Sequence, residues 1–414
     1  MKIFKNKKRK YIIISGLVST FVVTGLIITY YNSIPKEEPL IGAYINGTYS
    51  ETLLSKGSGY KVEKIVCDNN KNASWDYNKW GIKLSNWGTR SRCNIYFKSL
   101  ETIKIANKTF YLDEMLRCPT MNSDGTVTVI GVEDTYGYLC KAKDAYGDSY
   151  YYRGNVTDNY VLFAGKYWRI VRYNGDGTVR VIYDGTSAHV NGDASIDRQI
   201  GNATFNSSYD DNAYVGYMYG KTGASTYAET HTNTNNSTIK TYLDTWYENN
   251  IKLTTNEQYV KDNLFCNNRS VASGTGTGTS NTSYSNFANN KMMLTCPQQN
   301  DAFTVNDTSN GNGALTYGVG LVTTDEVVLA GGWSSSNSKY YLYSGQNYWT
   351  MSPNNFNDNY ADERRVLSGG GAGNSTGYGY NVGDVYGARP VFNLKAEVLS
   401  QGTGTASDPY HLAS

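Results

Sequence analysis

The sequence predicts an α+β protein: an N-terminal transmembrane helix, a small β-sandwich-like domain, then a larger mixed domain. Three observations carry that reading. Tyr11 to Tyr31 holds no charged residue. From residue 41 onward, short apolar runs alternate with Gly, Asn and Ser turns, as strands do. Helical spacing is strongest at Thr238 to Tyr247, where Ile239, Tyr242, Leu243, Trp246 and Tyr247 recur at i, i+3, i+4, i+7 and i+8, with Ser237 as N-cap.

The apolar stretch 11–31 is long enough to cross a hydrocarbon core of about 30 Å as a helix. Lys2, Lys5, Lys7, Lys8, Arg9 and Lys10 precede it and a balanced Lys36-Glu37-Glu38 follows. The excess of basic residues on one side then places tail 1–10 in the cytoplasm and the bulk of the chain outside the cell. Tyr30 and Tyr31 suit the outer interface, and Thr-Tyr-Tyr-Asn-Ser is a poor cleavage site, which favours an uncleaved single-pass anchor over a signal peptide. Residues 32–40 read as an extended linker.

Composition narrows the partners. Charged residues are 18% of the 414, and aromatics 14%, mostly the 38 tyrosines. The formal charge of +2 comes from the basic tail: without its six charges, 32 basic residues face 36 acidic ones, a net −4. Such a chain lacks the basic patch that nucleic acid requires. Tyr with Ser, Gly and Asn gives wide amphipathic contact at low entropy cost, the chemistry of binding loops.

Residues 41–100 read as the small β domain, with strand-like runs at Ile45 to Tyr49, Tyr60 to Val66, Trp80 to Leu84 and Cys93 to Phe97. Cys67 and Cys93 bracket Trp75, Trp80 and Trp87, and outside the cytoplasm a disulfide is the expected staple of so small a core. Residues 101–149 read as a junction with a short helix over Phe110 to Arg117 and a hairpin at Asn122 to Gly125. Local closure pairs the six cysteines as Cys67–Cys93, Cys118–Cys140 and Cys266–Cys296, one of 15 possible connectivities.

The head, residues 150–414, opens on YYRGNVTDNYVLFAGKYWRIVRYNGDGTVRVIY. A strand-like run from Val161 through Tyr173 and a second over Val179 to Tyr183 flank Asn174-Gly175-Asp176-Gly177, whose residues tolerate positive φ and mark a hairpin. Trp168, Ile170 and Val181 are its core candidates. A second helix is expected over Thr255 to Leu264. The Gly/Ser/Thr/Asn tract from Asn268 to Asn290 reads as a loop, its base closed by Cys266–Cys296. Further on, Leu315 to Val322, Tyr340 to Tyr343 and Tyr348 to Met351 read as strands, Thr323 to Glu326 as a helix start with its acids in the first turn, and Val391 to Leu394 as a strand begun after Pro390.

Catalytic signatures are sparse. The triglycine at 369–371 has no helix signal after it, so a phosphate loop is not indicated. His189, His231 and His411 are scattered without ligand spacing, and no metal or cofactor is expected. Asp325 and Glu326 can act as acid and base, although a helix N-terminus explains both. Asp358, Asp362 and Glu363 lie in an Asn-rich loop.

Five ordered motifs, YYYRGNVTDNYVLFAGKYWRIVRYNGDGTVRVIYDG, FCNNRS…TCPQQNDAFTV, GALTYGVGLVTTDEVVLAGG, YYLYSGQNYWTMSP and GARPVFNLKAEVLSQGTGTASDPY, resemble an uncharacterised extracytoplasmic family of Gram-positive bacteria. That family is similar to the C-type-lectin-like fold shared with formylglycine-generating enzymes. The resemblance implies a lectin-like mixed domain whose long excursions face a ligand. It does not imply the enzyme's oxidase chemistry, since no cysteine follows Cys296, nor calcium-dependent sugar binding, since the Glu-Pro-Asn and Trp-Asn-Asp motifs are missing.

The expectation is an anchored binding or adhesion protein that takes a surface protein or glycan through Trp333, Tyr360, Tyr378, Tyr380 and Tyr386, aromatic anchors of the kind interfaces use. Two alternatives are an enzyme that modifies envelope polymers with paired carboxylates among Asp325, Glu326, Asp358 and Glu363, and a structural surface protein without a specific ligand.

Overall fold

The computed structural model describes residues 41–68, 73–77, 79–84, 92–106, 108–112, 118–224, 226–273, 280–357, 359–373 and 379–413. Tail 1–10, span 11–31 and linker 32–40 lie outside them. The transmembrane helix is not supported: among the described residues no helix is long and apolar enough to cross a membrane. The balanced α+β expectation is also corrected. Strands make up 39% and helices 15% of the fold, because most apolar runs are too short for helices and pair across sheets instead. The head is a strand-dominated domain, not the expected C-type-lectin-like mixed one.

The chain divides into two compact units with the boundary between Ser99 and Leu100. In the first, one four-stranded sheet runs in the order Thr48–Ser50, Ile41–Ile45, Cys93–Ser99, Tyr60–Cys67. Ile45 to Tyr49 is not one strand: Asn46 and Gly47 take positive φ and turn the chain there. The expected sandwich is this single sheet plus a separate hairpin, Ala73–Asp76 with Gly81–Leu84. Trp75 and Trp80 cover Phe97, Ile95, Val62 and Ala43, so two indoles supply apolar area that a second full sheet would otherwise provide. Cys67 and Cys93 are directly opposed in the ladder and bonded.

The second unit is built on a nine-stranded sheet. Its order is Val260–Lys261, Val391–Leu394, Val179–Gly185, Lys166–Tyr173, Gly147–Gly154, Gly137–Asp144, Lys108–Leu112, Glu101–Ile105, with Tyr160–Phe163 paired to Lys166–Tyr173. Residues 101–149, read as a junction, therefore supply three strands and the start of a fourth to this sheet. Lys108–Leu112 is strand where a helix was expected over 110–117, and residues 113–117 lie outside the described set. Residues 161–173 are not continuous either. Ala164 and Gly165 both adopt positive φ and make a two-residue hairpin, Phe163 opposite Lys166, a turn hidden by the cost of that conformation for alanine.

The Asn174–Gly177 turn forms as expected: the Asn174 and Thr178 backbones pair at 2.8 Å, and Gly177 sits at φ 81. Trp168, Ile170 and Val181 are fully buried at the centre of the sheet. The helix Thr238–Tyr247 packs Trp246 against Trp168 and Tyr183, and the Ser237 hydroxyl caps it. Burying such aromatic and aliphatic side chains contributes about 1.5–3 kcal/mol each.

A seven-stranded sheet is the second large one: Gly201–Thr204, Val385–Ala388, Tyr348–Phe356, Ser280–Asn281 and Val271–Ser273, with Ala361–Val366 on Tyr348–Phe356 and Tyr380–Asn381 on Ala361–Val366. The tract 268–290 is not all loop, since it contributes two of these strands and the helix Thr282–Ala288, whose Phe287 is buried in the core. Thr255–Tyr259 is one 3-10 turn rather than a helix reaching Leu264. Tyr340 to Tyr343 forms no strand. Its chain turns while Tyr340, Tyr341 and Leu342 bury completely. Leu315 to Val322 forms no strand: its ladder contact among the described residues is the bridge Gly320 to Val391, beside single backbone bonds to Thr304 and Met351. Cys118–Cys140 and Cys266–Cys296 are both bonded. All three local pairings hold.

Candidate functional site

Two places in the head gather chemistry. The first is a narrow cleft, partly open to solvent, with room for about 20 Å³, lined by Arg172, Arg180, Cys266, Asp325 and Glu326. The helix Thr324–Leu329 points its first turn into it, because Thr323 and Glu326 form a capping box. Glu326 is crowded: Arg172 Nε lies 3.1 Å and Arg180 Nε 2.5 Å from its Oε1, and the Thr323 N–H donates to Oε2 at 2.9 Å. Burial pushes the Glu326 carboxyl up, but Arg180 and Arg172 outweigh it and hold it below the ordinary range. Arg172 also donates to Asp144 at 2.7 Å.

Asp325 behaves oppositely. Burial pushes it up to about 7, outweighing the lowering bonds from the Met293 N–H at 2.8 Å and from its own backbone N–H, and the charge of Arg364. Two adjacent carboxyls thus have widely separated pKa values, the usual sign of an acid and a base. Glu326, however, takes both guanidinium groups on Oε1 and the Thr323 N–H with Arg180 Nη2 at 3.4 Å on Oε2, so it has no lone pair to spare for a substrate. Glu363 is buried apart from the cleft lining, and burial keeps its carboxyl far above the ordinary range. Asp362, pushed up to about 6 by burial and by Asp384, is half-buried. Asp358 lies outside the described residues.

The second place surrounds the strand Ala361–Val366. Successive strand residues face opposite ways, and here Arg364 and Arg365 part company. The Arg364 guanidinium lies 4.4 Å from the Phe287 ring, which packs 5.2 Å from Trp333. Trp333 is therefore half-buried against the core, away from the other expected aromatics. The Arg365 guanidinium instead lies 3.7 Å from the Tyr380 ring and 3.8 Å from the Tyr386 ring. Those rings stand at 84° to each other, an aromatic corner around the cation. Trp349 backs Tyr386 at 4.8 Å, and the Tyr386 hydroxyl donates to Asp384 at 3.0 Å.

The turn Asn381 to Asp384 joins this corner to an exposed pair. Tyr360 and Tyr209 lie 5.6 Å apart, 47% and 44% exposed, and Tyr209 packs on Gly383. Tyr378 lies outside the described residues. Of the five aromatics named from sequence, Tyr360, Tyr380 and Tyr386 thus share one surface and Trp333 does not. Arg365 and Tyr209 were missed. Arg365 could have been found from strand alternation across the Glu-Arg-Arg run. Tyr209 carried no signal, because its partners are distant in sequence.

His189 was set aside on spacing, yet its Nδ1 lies 2.6 Å from Asp193 and its Nε2 2.9 Å from Asp197. The Ser195 hydroxyl accepts from the Asp197 N–H and no hydroxyl donates to the imidazole among the described residues, so the histidine clasps the segment rather than activating a nucleophile. No group of three His, Cys, Asp or Glu among the described residues could hold a metal ion. Comparison of the chain with protein-family models, curated proteins and solved structures finds no match.

Proposed function

We propose that this chain is an extracytoplasmic binding protein that recognises a surface glycan through the face made by Tyr209, Tyr360, Tyr380, Tyr386 and Arg365. Three disulfides favour an oxidising compartment. The observation that carries the reading is the pairing of two exposed tyrosines with a tyrosine-lined arginine on one surface. Ring faces stack on the apolar C–H faces of a pyranose, and phenol, amide and guanidinium edges bond its hydroxyls. Tyrosine brings that contact at the cost of only two side-chain torsions. The two-carboxylate enzyme reading is weaker, since Glu326 is fully engaged.

Binding of the full chain to whole bacterial cells and to isolated envelope glycans tests it. The double variant Tyr360→Ala, Tyr386→Ala should bind at least about tenfold more weakly, as loss of two aromatic anchors implies. Unchanged binding to both would overturn the reading, and binding that survives removal of surface glycan but not of surface protein would assign the face to a protein partner instead.

A further inference from the structure

The arginines of the head are consistently spent on the protein itself. Arg153 donates to the Val328 and Leu329 carbonyls. Arg198 and Arg389 converge on Asp184, and Arg269 grips Asp301. Arg365 differs. Among the described residues its guanidinium meets the rings of Tyr380 and Tyr386 and no carboxylate, and its Nε–H is buried without an acceptor. Asp384, the nearby carboxylate on the loop, accepts from the Tyr386 hydroxyl instead. The guanidinium is held in position from two sides by rings rather than by charge.

We infer that Arg365 is an oxyanion-recognition subsite, so that the glycan taken by this face carries a carboxylate or a phosphodiester. The inference rests on the binding reading above and narrows its ligand. Three features support it. Aromatic rings orient a guanidinium without neutralising it, leaving its N–H donors for an incoming anion. Arginine is suited to such anions because its planar fork matches two oxygens at once. The orientation is made in advance: Tyr386 is fixed by Trp349 and Asp384, and Tyr380 by the ladder that pairs it with Glu363. Little side-chain entropy then remains to be lost on binding.

The test uses the full chain and three polymers: polygalacturonate for carboxylate, glycerol-phosphate polymer for phosphodiester, and neutral dextran. Preference for one or both anionic polymers over dextran, weakening as salt rises, supports the subsite, and the preferred polymer identifies the anion. Arg365→Gln should lose roughly tenfold or more of that binding, the usual worth of a charge-assisted pair. Arg365→Lys, which keeps the charge but not the fork, should fall in between. Dextran bound as well as the anionic polymers, anionic binding insensitive to salt, or Arg365→Lys equal to the parent would each overturn the inference. The salt series on the unaltered chain decides the matter even if Arg365→Gln fails to fold. If Tyr360→Ala, Tyr386→Ala lowers whole-cell binding while no anionic polymer is preferred, the anion inference falls and the glycan face stands. If that double variant changes nothing, both fall.

Discussion

Two arginine environments in the same head contrast sharply. Arg172 and Arg180 lie buried in the cleft, their charges matched by Glu326 and Asp144. Arg365 lies on the rim, held by Tyr380 and Tyr386 with no described carboxylate against it. A buried charge is tolerated only when paired and hydrogen-bonded, so the interior pairs are conditions of folding. Arg365 is only partly buried, so although its Nε–H is enclosed its terminal nitrogens can keep water and need no counterion. Aromatic support can position it while leaving its charge available. The difference separates residues that hold the fold from residues free to meet a ligand.

The largest expected effect comes from breaking the interior side. Glu326→Ala removes the shared counterion of two buried guanidinium groups and half of the capping box. Leaving buried charge uncompensated costs about 3–5 kcal/mol, which denaturant unfolding would register as a large drop in midpoint. A loss below about 1 kcal/mol would mean that water reaches these arginines, and the contrast with the rim would disappear.

Asp325 sharpens the same side through pH. Its folded pKa is raised from 3.8 to about 7, so between those values the folded chain holds more protons than the unfolded chain. The stability this proton carries is fully present below about pH 4, falls as pH rises toward 7 and is flat above. Its size is on the order of 4 kcal/mol at about 1.4 kcal/mol per pKa unit. Asp325→Asn, which keeps the acceptor for the Met293 N–H, should remove this part of the slope. A parent and variant with parallel stability–pH curves would show that Asp325 is already ionised when folded.

Local features were legible in the sequence and distant ones were not. The turn Asn174 to Gly177, the Ser237 cap, the Thr323/Glu326 helix start and the three cysteine pairs are each set by residues close along the chain, so sequence pattern reaches them. The Ala164-Gly165 turn was missed because alanine rarely takes positive φ, and sheet context overrides that preference. Lys108–Leu112 became strand because it pairs along its whole length with Glu101–Ile105 and meets Gly137–Asp144 only at Leu112, so here the helix expectation overlooked a local hairpin. Tyr340 and Tyr341 looked like strand from composition, yet they bury in a turn. At the candidate site, the tyrosines were legible as a compositional bias, but which of them meet depended on strand alternation and on the contact between Tyr209 and Tyr360. The cleft's carboxylates were legible as acids, not as opposites. Only the placement of Arg172 and Arg180, from a hairpin some 150 residues upstream, fixes Glu326 as ionised and leaves Asp325 to burial.

The smallest effect on stability belongs to the rim. Tyr360 is 47% exposed, and the ring contact it makes among the described residues is with Tyr209, itself 44% exposed. A substitution at such a place usually shifts stability by no more than about 0.5 kcal/mol, so Tyr360→Ala should melt with the parent. The same change should weaken glycan binding several-fold, because an exposed aromatic pair held this way adds little to folding and offers its faces to a partner. Melting and binding measured on one preparation separate the two roles. If Tyr360→Ala instead lowered the melting temperature as far as a core truncation does, the rim would be structural, and the division between fold-holding and ligand-facing residues would have to be redrawn around Arg365 alone.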